Sequence, residues 1–259
     1  MKFLRFLYKD KPSYGIVQGD EVVRIEGSIY SSYEMTEDAF ALSNIKVLAP
    51  VIPNKVVAIG LNYKRHAEEV NMPLPTQPRV FLPSVSAIIG TEDTIELVHP
   101  EHKNEHEGEL AVIIGKRAYH VSEEAALEYV LGFTCCNDIS DRNIQLEDGK
   151  PARAKSFPTY KPLGPVIETN LNPDHLQIQV RVNGQLKQDS NSNDMIFSVR
   201  HLISYISHQM VLEPGDVIIT GTPSGVSPLT EGDLVEVEIE GIGVLRNQVV
   251  FKNNGDSPK

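Results

Sequence analysis

Two glutamates separated by one glycine, Glu107 and Glu109, open an apolar run that extends to Gly115, and a third acid, Asp138, ends the next apolar run. Because strand side chains alternate between faces, Glu107 and Glu109 would project to the same side. Asp138 could complete the set from a neighbouring strand, and carboxylate oxygens are the ligands of hard cations such as Mg²⁺. The spacing therefore predicts a metal site. A solvated strand entrance followed by an ordinary turn is the alternative.

A histidine and a glutamate three residues apart form a second candidate pair. Asn62 can cap a short helix from Tyr63 to about Val70, which would place His66 and Glu69 on one face, where their side chains can meet. On residue types alone, a solvated pair on a surface helix is the alternative.

A glycine-flanked threonine, Thr222, follows an apolar segment in Gly221-Thr222-Pro223-Ser224-Gly225. Its hydroxyl and nearby backbone N–H groups could bind a carboxylate. A tight turn that needs glycine for backbone reasons is the alternative.

Several short motifs stand between Lys55 and Asn247. They are residues 57–69, 107–116, 137–145, 154–157, 162–165, 182–184, 195–197 and 212–226. In content and order these motifs resemble the fumarylacetoacetate hydrolase (FAH) family.

The resemblance implies a mixed, mostly β fold: a rolled, layered β-sandwich with a few short helices that usually forms homodimers. It also implies a bound Mg²⁺ or Mn²⁺, with Ca²⁺ as a further possibility, and a small anionic carboxylate substrate. The implied site residues are His66, Glu69 and Lys155 for catalysis, Arg142, Gln145 and Thr222 for substrate binding, and Glu107, Glu109 and Asp138 for the metal.

The chain also shows a coarse domain organisation. Short alternating segments separated by turn residues predict a small β-rich N-terminal unit over residues 1–50, and the prolines of 49–53 indicate a connector. Residues 51–252 are predicted to form the catalytic domain, and residues 253–259 a frayed tail. Apolar spacing predicts helices over about 120–130, with Ser122 as N-cap, and over about 198–209, and alternation over 235–239 predicts a half-exposed strand.

Composition excludes several classes of protein. The 259 residues are 41% hydrophobic and 23% charged, as in ordinary globular proteins, and no segment has the form of a signal peptide or spanning helix, so a cytoplasmic location is expected. A net charge of -11 without a Lys/Arg block argues against nucleic acid and anionic membranes as partners. The only cysteines, Cys135 and Cys136, are adjacent and are predicted to be buried, reduced thiols.

The leading functional hypothesis is metal-dependent hydrolysis of a C–C bond in a small 2-oxo or β-diketo carboxylate, through an enolate stabilised by the metal. The alternatives are a decarboxylase or isomerase of 2-oxo-dioates, such as oxaloacetate or 2-hydroxyhepta-2,4-diene-1,7-dioate, and a non-catalytic metabolite-binding protein. Departures from the family pattern at Pro83, Asp141, Asn143 and Pro158 remove one cation and move an acid near the predicted pocket, which should alter the preferred anion.

Overall fold

The computed structural model describes residues 1–252, and the predicted frayed tail over 253–259 lies outside them. The described residues form eighteen β-strands and four α-helices. The strands are β1 (Lys2–Tyr8), β2 (Lys11–Gln18), β3 (Glu21–Gly27), β4 (Tyr33–Ala41), β5 (Val56–Gly60), β6 (Arg79–Phe81), β7 (Ile88–Ile89), β8 (Ile95–Leu97), β9 (Asn104–Glu105), β10 (Gly108–Ile114), β11 (Val130–Asn137), β12 (Ser140–Asp141), β13 (Lys161–Glu168), β14 (Gln177–Val182), β15 (Gln185–Asn191), β16 (Val217–Ile219), β17 (Leu234–Ile239) and β18 (Gly243–Phe251). The helices are α1 (Lys64–Glu69), α2 (Arg142–Asp148), α3 (Pro151–Ala154) and α4 (Val199–Ser207), and single 3-10 turns cover Leu42–Asn44, Val85–Ala87, Ala126–Tyr129 and Ser192–Asp194.

The strands lie in two main sheets and one short ladder. The large sheet has the order β4-β3-β2-β1-β13-β11-β10-β16-β5-β6, with β7 pairing to β13, and the smaller sheet has the order β15-β14-β17-β18-β8. Strands β12 and β9 pair separately. The mostly β, layered architecture predicted for the chain is therefore confirmed.

Strand β10 lies at the centre of the large sheet, between β11 and β16, and every one of its residues is buried. Its Leu110, Val112 and Ile114 belong to one hydrophobic cluster and Ala111 and Ile113 to another, so the strand has a core on each face. A continuous apolar run is the sequence signature of such a doubly buried strand. The site described below lies at the N-terminal end of this strand.

Strands β1 to β4 form an antiparallel meander over residues 2–41. The meander joins the large sheet because β1 pairs with β13, with Lys2 opposite Glu168 and Phe3 opposite Ile167. Segment 1–50 therefore shares a continuous sheet with the strands that carry the site.

Two of the three helix predictions locate real helices. α4 follows an N-cap at Ser198, whose side chain accepts from the His201 N–H, and its apolar stripe is buried as predicted. α1 ends at Glu69, but the predicted capping role of Asn62 is wrong: the residue is fully buried and its amide bonds to the Thr220 carbonyl and the Phe197 N–H.

The helix predicted over 120–130 is wrong. Within it, only Ala126–Tyr129 forms a 3-10 turn. The reason is that Val130 already pairs with Ile114 and adopts extended angles, which prevents the turn from continuing into the strand.

Other local predictions are confirmed. In β17, buried and partly exposed residues alternate, and Cys135 and Cys136 are free and buried. None of the helices in residues 1–252 is long and apolar enough to cross a membrane.

Candidate metal-dependent active site

Three carboxylates meet where β10 begins and β11 ends. In the antiparallel ladder of these strands Gly108 lies opposite Asn137, and the Asp138 N–H donates to the Glu107 carbonyl at 2.8 Å. One oxygen each from Glu107, Glu109 and Asp138 lies within 4.8 Å of the others, and all three residues are at least 95% buried. The spacing argument correctly predicted that these acids meet.

Glycine is required between the two glutamates. A Cβ at Gly108 would lie 2.3 Å from Val180 Cγ2, because β14 of the smaller sheet packs directly over this point. Glu109 is held from the other side, since its Oε2 accepts the Gly221 N–H at 2.7 Å. The close contact between sheets therefore positions both glutamates.

Two buried lysines and an arginine surround the acids. Lys155 Nζ donates to Glu107 Oε2 at 2.6 Å and also to Asp138 Oδ2, while the Lys161 ammonium pairs with Asp138 Oδ1. Arg142 donates to Glu107 Oε1 at 2.5 Å. The acids thus lie in a compact network of buried opposite charges.

The network shifts the pKa values of the two glutamates in opposite directions. Burial opposes ionisation of Glu107, but Lys155 and Arg142 outweigh it and hold its pKa well below the ordinary range. For Glu109, burial and then the charge of Asp138 raise the pKa well above the ordinary range. Burial lowers the pKa of Lys155, but Asp138 and Glu107 outweigh it, so the net shift is upward.

The donor set fits a hard divalent cation. One oxygen from each of the three carboxylates points to a common position. Glu107 and Asp138 also accept from the Lys155 ammonium, and Glu109 lines the pocket. Oxygen-only ligands favour Mg²⁺, Mn²⁺ or Ca²⁺ over softer ions. Glu107, Glu109 and Asp138 would hold the ion.

His66 and Glu69 do form the predicted pair. His66 Nδ1 lies 2.8 Å from Glu69 Oε2, and Glu69 Oε1 accepts the Gly225 N–H at 2.9 Å. Because a carboxylate only accepts, Nδ1 carries the proton and Nε2 is left with a lone pair. The Gly225 contact links α1 to the loop that also carries Thr222.

A pocket of about 820 Å³ joins these groups. His66, Glu69, Glu107, Glu109 and Lys155 all line it. Its remaining lining includes Arg79, Phe81, Lys103, Glu105, Arg142, Gln145 and Thr222.

The residues predicted to bind substrate line the pocket but have protein partners. Arg142 binds Glu105 and Glu107, and its Nη1 donates to Gln145 Oε1 at 2.8 Å. The Thr222 hydroxyl donates to the Gly108 carbonyl at 3.0 Å and accepts from Gln188. Their contact with substrate stays a prediction.

Three participants were missed from the sequence: Lys161, Gln188 and Arg79. Lys161 reaches Asp138 from β13, and Gln188 reaches the site from the smaller sheet, so both depend on long-range packing. Arg79 could have been proposed from the sequence, because it stands in the proline-rich segment 71–83, two residues before Phe81. In the structure it lines the pocket.

The chain belongs to the family described as fumarylacetoacetate (FAA) hydrolase C-terminal, whose model matches residues 55–250. Residues 1–50 match a second family, described as Rv2993c-like, N-terminal.

Among relatives, an uncharacterized protein of Archaeoglobus fulgidus is 46% identical over 235 residues, covering 91% of this chain and 92% of the relative. The mitochondrial oxaloacetate tautomerase FAHD2B of Bos taurus is 42% identical over 221 residues, covering 80% of this chain and 70% of the relative.

Two solved structures are similar over nearly the whole chain. The 5-carboxymethyl-2-hydroxymuconate delta-isomerase of Mycobacterium smegmatis has a TM-score of 0.91 at 37% identity and covers 97% of this chain and 100% of its own. The maleylpyruvate hydrolase of Sphingobium, solved with manganese and pyruvate, has a TM-score of 0.82 at 28% identity. The match covers 98% of this chain and 100% of the hydrolase chain.

Proposed function

We propose that the protein is a divalent-metal-dependent enzyme that forms or protonates the enolate of a small 2-oxo-dicarboxylate, with keto–enol isomerisation as its reaction. The observation that carries the proposal is the buried trio of Glu107, Glu109 and Asp138, of which Glu107 and Glu109 line a pocket that the His66–Glu69 pair also lines. Enolate chemistry needs positive charge at the oxo oxygen and a base near the adjacent carbon.

The metal centre would supply the first requirement. A divalent cation held by the trio would act as a Lewis acid toward the substrate's oxo and carboxylate oxygens. The Mn²⁺-containing structure of maleylpyruvate hydrolase supports this assignment. Lys155 adds a permanent positive charge, because its acidic neighbours keep it protonated.

His66 would move the proton. Its Nδ1–H is fixed on Glu69, so Nε2 is the nitrogen free to take a proton from substrate carbon and return it. Glu69 would stabilise the imidazolium formed in that step and is itself oriented by the Gly225 N–H. The pair works as an orienting carboxylate and a base.

Arg79 supports a second carboxylate on the substrate. It lines the pocket, and within residues 1–252 it has no ion-pair partner, whereas Arg142 and Lys103 are paired with Glu105. An unpaired guanidinium can bind a carboxylate through two parallel hydrogen bonds. We therefore assign the end of the substrate remote from the trio to Arg79.

Isomerisation is preferred to hydrolysis for two reasons. It needs only a proton donor and acceptor, which His66 provides, without a positioned water. The relatives named tautomerase and isomerase are also 42% and 37% identical, against 31% for the fumarylacetoacetate hydrolase of Exiguobacterium antarcticum and 28% for maleylpyruvate hydrolase. Hydrolysis of an acylpyruvate is the second candidate, supported by the shared fold with maleylpyruvate hydrolase.

The test is to follow oxaloacetate and an acylpyruvate by proton NMR in D₂O with Mg²⁺ or Mn²⁺. Isomerisation gives enzyme-dependent interconversion of keto and enol forms, with deuterium entering at C3 faster than in buffer. Hydrolysis of the acylpyruvate gives pyruvate and a second acid, and decarboxylation gives pyruvate and CO₂ from oxaloacetate.

His66→Asn and Glu109→Gln are the informative variants, with exposed His175→Asn as the matched control. Removing the base should lower kcat roughly 10²- to 10⁴-fold and leave Mg²⁺ binding unchanged. Glu109→Gln, like EDTA, should remove both metal binding and turnover. Metal-dependent substrate binding without turnover of any substrate would contradict the enzyme assignment and favour a binding protein.

A further inference from the structure

A turn outside the acidic trio brings together a second set of metal-ligating side chains. His99, Glu101 and His102 each place one ligand atom within 4.8 Å of the other two. The turn itself is closed by a backbone bond from the His102 N–H to the His99 carbonyl at 3.0 Å.

This turn, residues 99–102, is held by a buried side chain. Asn104, which is 1% exposed, donates from Nδ2 to the carbonyls of His99 at 2.8 Å and His102 at 3.2 Å. Its Oδ1 accepts from the buried Tyr160 hydroxyl at 2.8 Å. The buried Asn104 side chain therefore fixes the backbone that carries the three side chains.

A buried carboxylate fixes which nitrogen of His102 can bind a metal. Asp141 is fully buried, and its two oxygens lie 2.8 and 3.0 Å from His102 Nδ1. Since the carboxylate accepts, Nδ1 carries a proton and Nε2 presents its lone pair. A carboxylate behind a histidine in this way is the usual outer support of a histidine that binds zinc.

The distances among the three side chains suit co-ligands better than hydrogen-bond partners. His102 Nε2 lies 3.7 Å from Glu101 Oε1, and His99 Nδ1 lies 3.9 Å from the same oxygen. Both distances exceed those of hydrogen bonds. Ligands bonded to one tetrahedral Zn²⁺ at about 2.0 Å lie about 3.3 Å apart, close to the two distances that involve Glu101. The His99 and His102 rings stack on each other with their centroids 4.7 Å apart.

We propose that His99, Glu101 and His102 form a second metal site, selective for Zn²⁺ or a similar first-row transition ion over Mg²⁺. Two imidazoles and a carboxylate are typical zinc ligands, whereas Mg²⁺ prefers oxygen. The site is separate from the acidic trio in both position along the chain and chemistry.

The proposed site has a direct connection to the pocket. Lys103, the next residue, bonds through its carbonyl to the Arg142 N–H at 2.9 Å and through its N–H to Asn143 Oδ1 at 2.9 Å. Both Lys103 and Arg142 line the pocket. A zinc ion on the turn would fasten this part of the pocket wall to the start of α2.

The experiment is calorimetric titration with Zn²⁺ of the full chain carrying Glu109→Gln, which disables the acidic trio. One equivalent should still bind, and adding His102→Gln should weaken that binding at least 10-fold, whereas adding the control His175→Gln should not. Asp141→Asn keeps a cap for α2 but removes the charge behind His102, and should weaken Zn²⁺ binding about 10- to 100-fold.

A second readout uses the unmodified chain labelled with ¹⁵N-histidine. Zn²⁺ should shift the imidazole signals of His99 and His102, and Mg²⁺ should leave them in place. If Zn²⁺ leaves these signals unchanged, or if His102→Gln binds Zn²⁺ as well as the His175→Gln control does, the proposal is overturned.

Discussion

Lys155 is a buried cation shared by two of the three acids of the site. Its single positive charge offsets part of the charge of Glu107 and Asp138, which Arg142 and Lys161 also contact. Breaking a buried ion pair by removing one partner leaves an uncompensated charge, which costs more than the pair contributed. The same lysine therefore lets three acids stay close together before a metal binds.

Lys155→Met should lower the free energy of unfolding in EDTA by roughly 3–5 kcal/mol. Mg²⁺ should recover a larger part of the stability than it adds to the wild type, because a cation then replaces the missing charge. Denaturant unfolding with EDTA and with Mg²⁺ measures both quantities, and exposed Lys116→Met is the control. An equal loss under both conditions would show that Lys155 only fills space.

Arg79 controls substrate choice if it binds the remote carboxylate. Arg79→Met should raise KM for a 2-oxo-dicarboxylate at least 10-fold and change KM for pyruvate-like monocarboxylates little, because hydrogen bonds to charged groups contribute about 1.5–3 kcal/mol. Steady-state kinetics on matched mono- and dicarboxylates measures the ratio. A parallel rise for both substrates would place Arg79 outside the substrate contact.

At the scale of elements, the periodicity of apolar residues correctly predicted those helices and strands whose pattern is set by residues close in sequence. The stripe of α4 and the alternation of β17 are set by local spacing, and both were predicted correctly. The pairing of β10 with β11 followed from two consecutive apolar runs, the first opened by Glu107 and Glu109 and the second ended by Asp138. The helix over 120–130 failed because the register of β11 overrides local preference.

Gly108 sets the distance between β10 and β14. Gly108→Ala would place a methyl group 2.3 Å from Val180 Cγ2, and overpacking of this kind costs roughly 1–3 kcal/mol. We expect lower stability and weaker Mg²⁺ binding, since Glu107 and Glu109 flank the displaced residue. For stability, Gly60→Ala is the control, because its nearest contact would be 3.8 Å. Equal unfolding free energies for the two variants would contradict this account.

His106, which lies just before β10, makes the stability of the fold depend on pH. Burial lowers its pKa from 6.5 to about 4, and its nitrogens contact Gln188 Oε1 and the Ser227 hydroxyl. The folded state keeps the ring neutral while the unfolded state binds a proton below pH 6.5. Stability from this residue is therefore complete above pH 6.5 and decreases as pH falls toward 4.

The size of that loss follows from the fall of the His106 pKa from 6.5 to about 4, which corresponds to about 3 kcal/mol. The difference in unfolding free energy between wild type and His106→Gln should shrink by this amount between pH 7 and pH 4. Denaturant unfolding at a series of pH values measures it. A difference that stays constant with pH would mean that the folded state protonates His106 normally.

At the scale of the whole molecule, the site exists because two sheets meet over it. The three acids lie in β10 or directly beside β10 and β11 of the large sheet, and the smaller sheet contributes Val180 over Gly108 and Gln188 beside Thr222. Neither Gln188 nor Lys161 stands near the acids in sequence. Such contacts depend on how strands from distant parts of the chain are ordered, which one sequence does not reveal.

Gln188 is the main polar connection between the sheets, and it is fully buried. Its Oε1 accepts from the Gly108 N–H at 2.9 Å, and its Nε2 donates to the Thr222 hydroxyl at 2.8 Å and the Pro223 carbonyl at 2.7 Å. His106 Nδ1 also lies 3.1 Å from Oε1. The side chain thus satisfies groups at the start of β10 and in the loop that carries Thr222.

Gln188→Leu should therefore lower the free energy of unfolding by at least 2 kcal/mol, since each buried group left without a partner costs about 1–3 kcal/mol. Because Thr222 and Gly108 lose a shared support, Mg²⁺ binding and kcat should fall together. Gln185→Leu, on the exposed part of the same strand, is the control. A variant that loses stability but keeps metal affinity and kcat would show that the sheets hold the site without this contact.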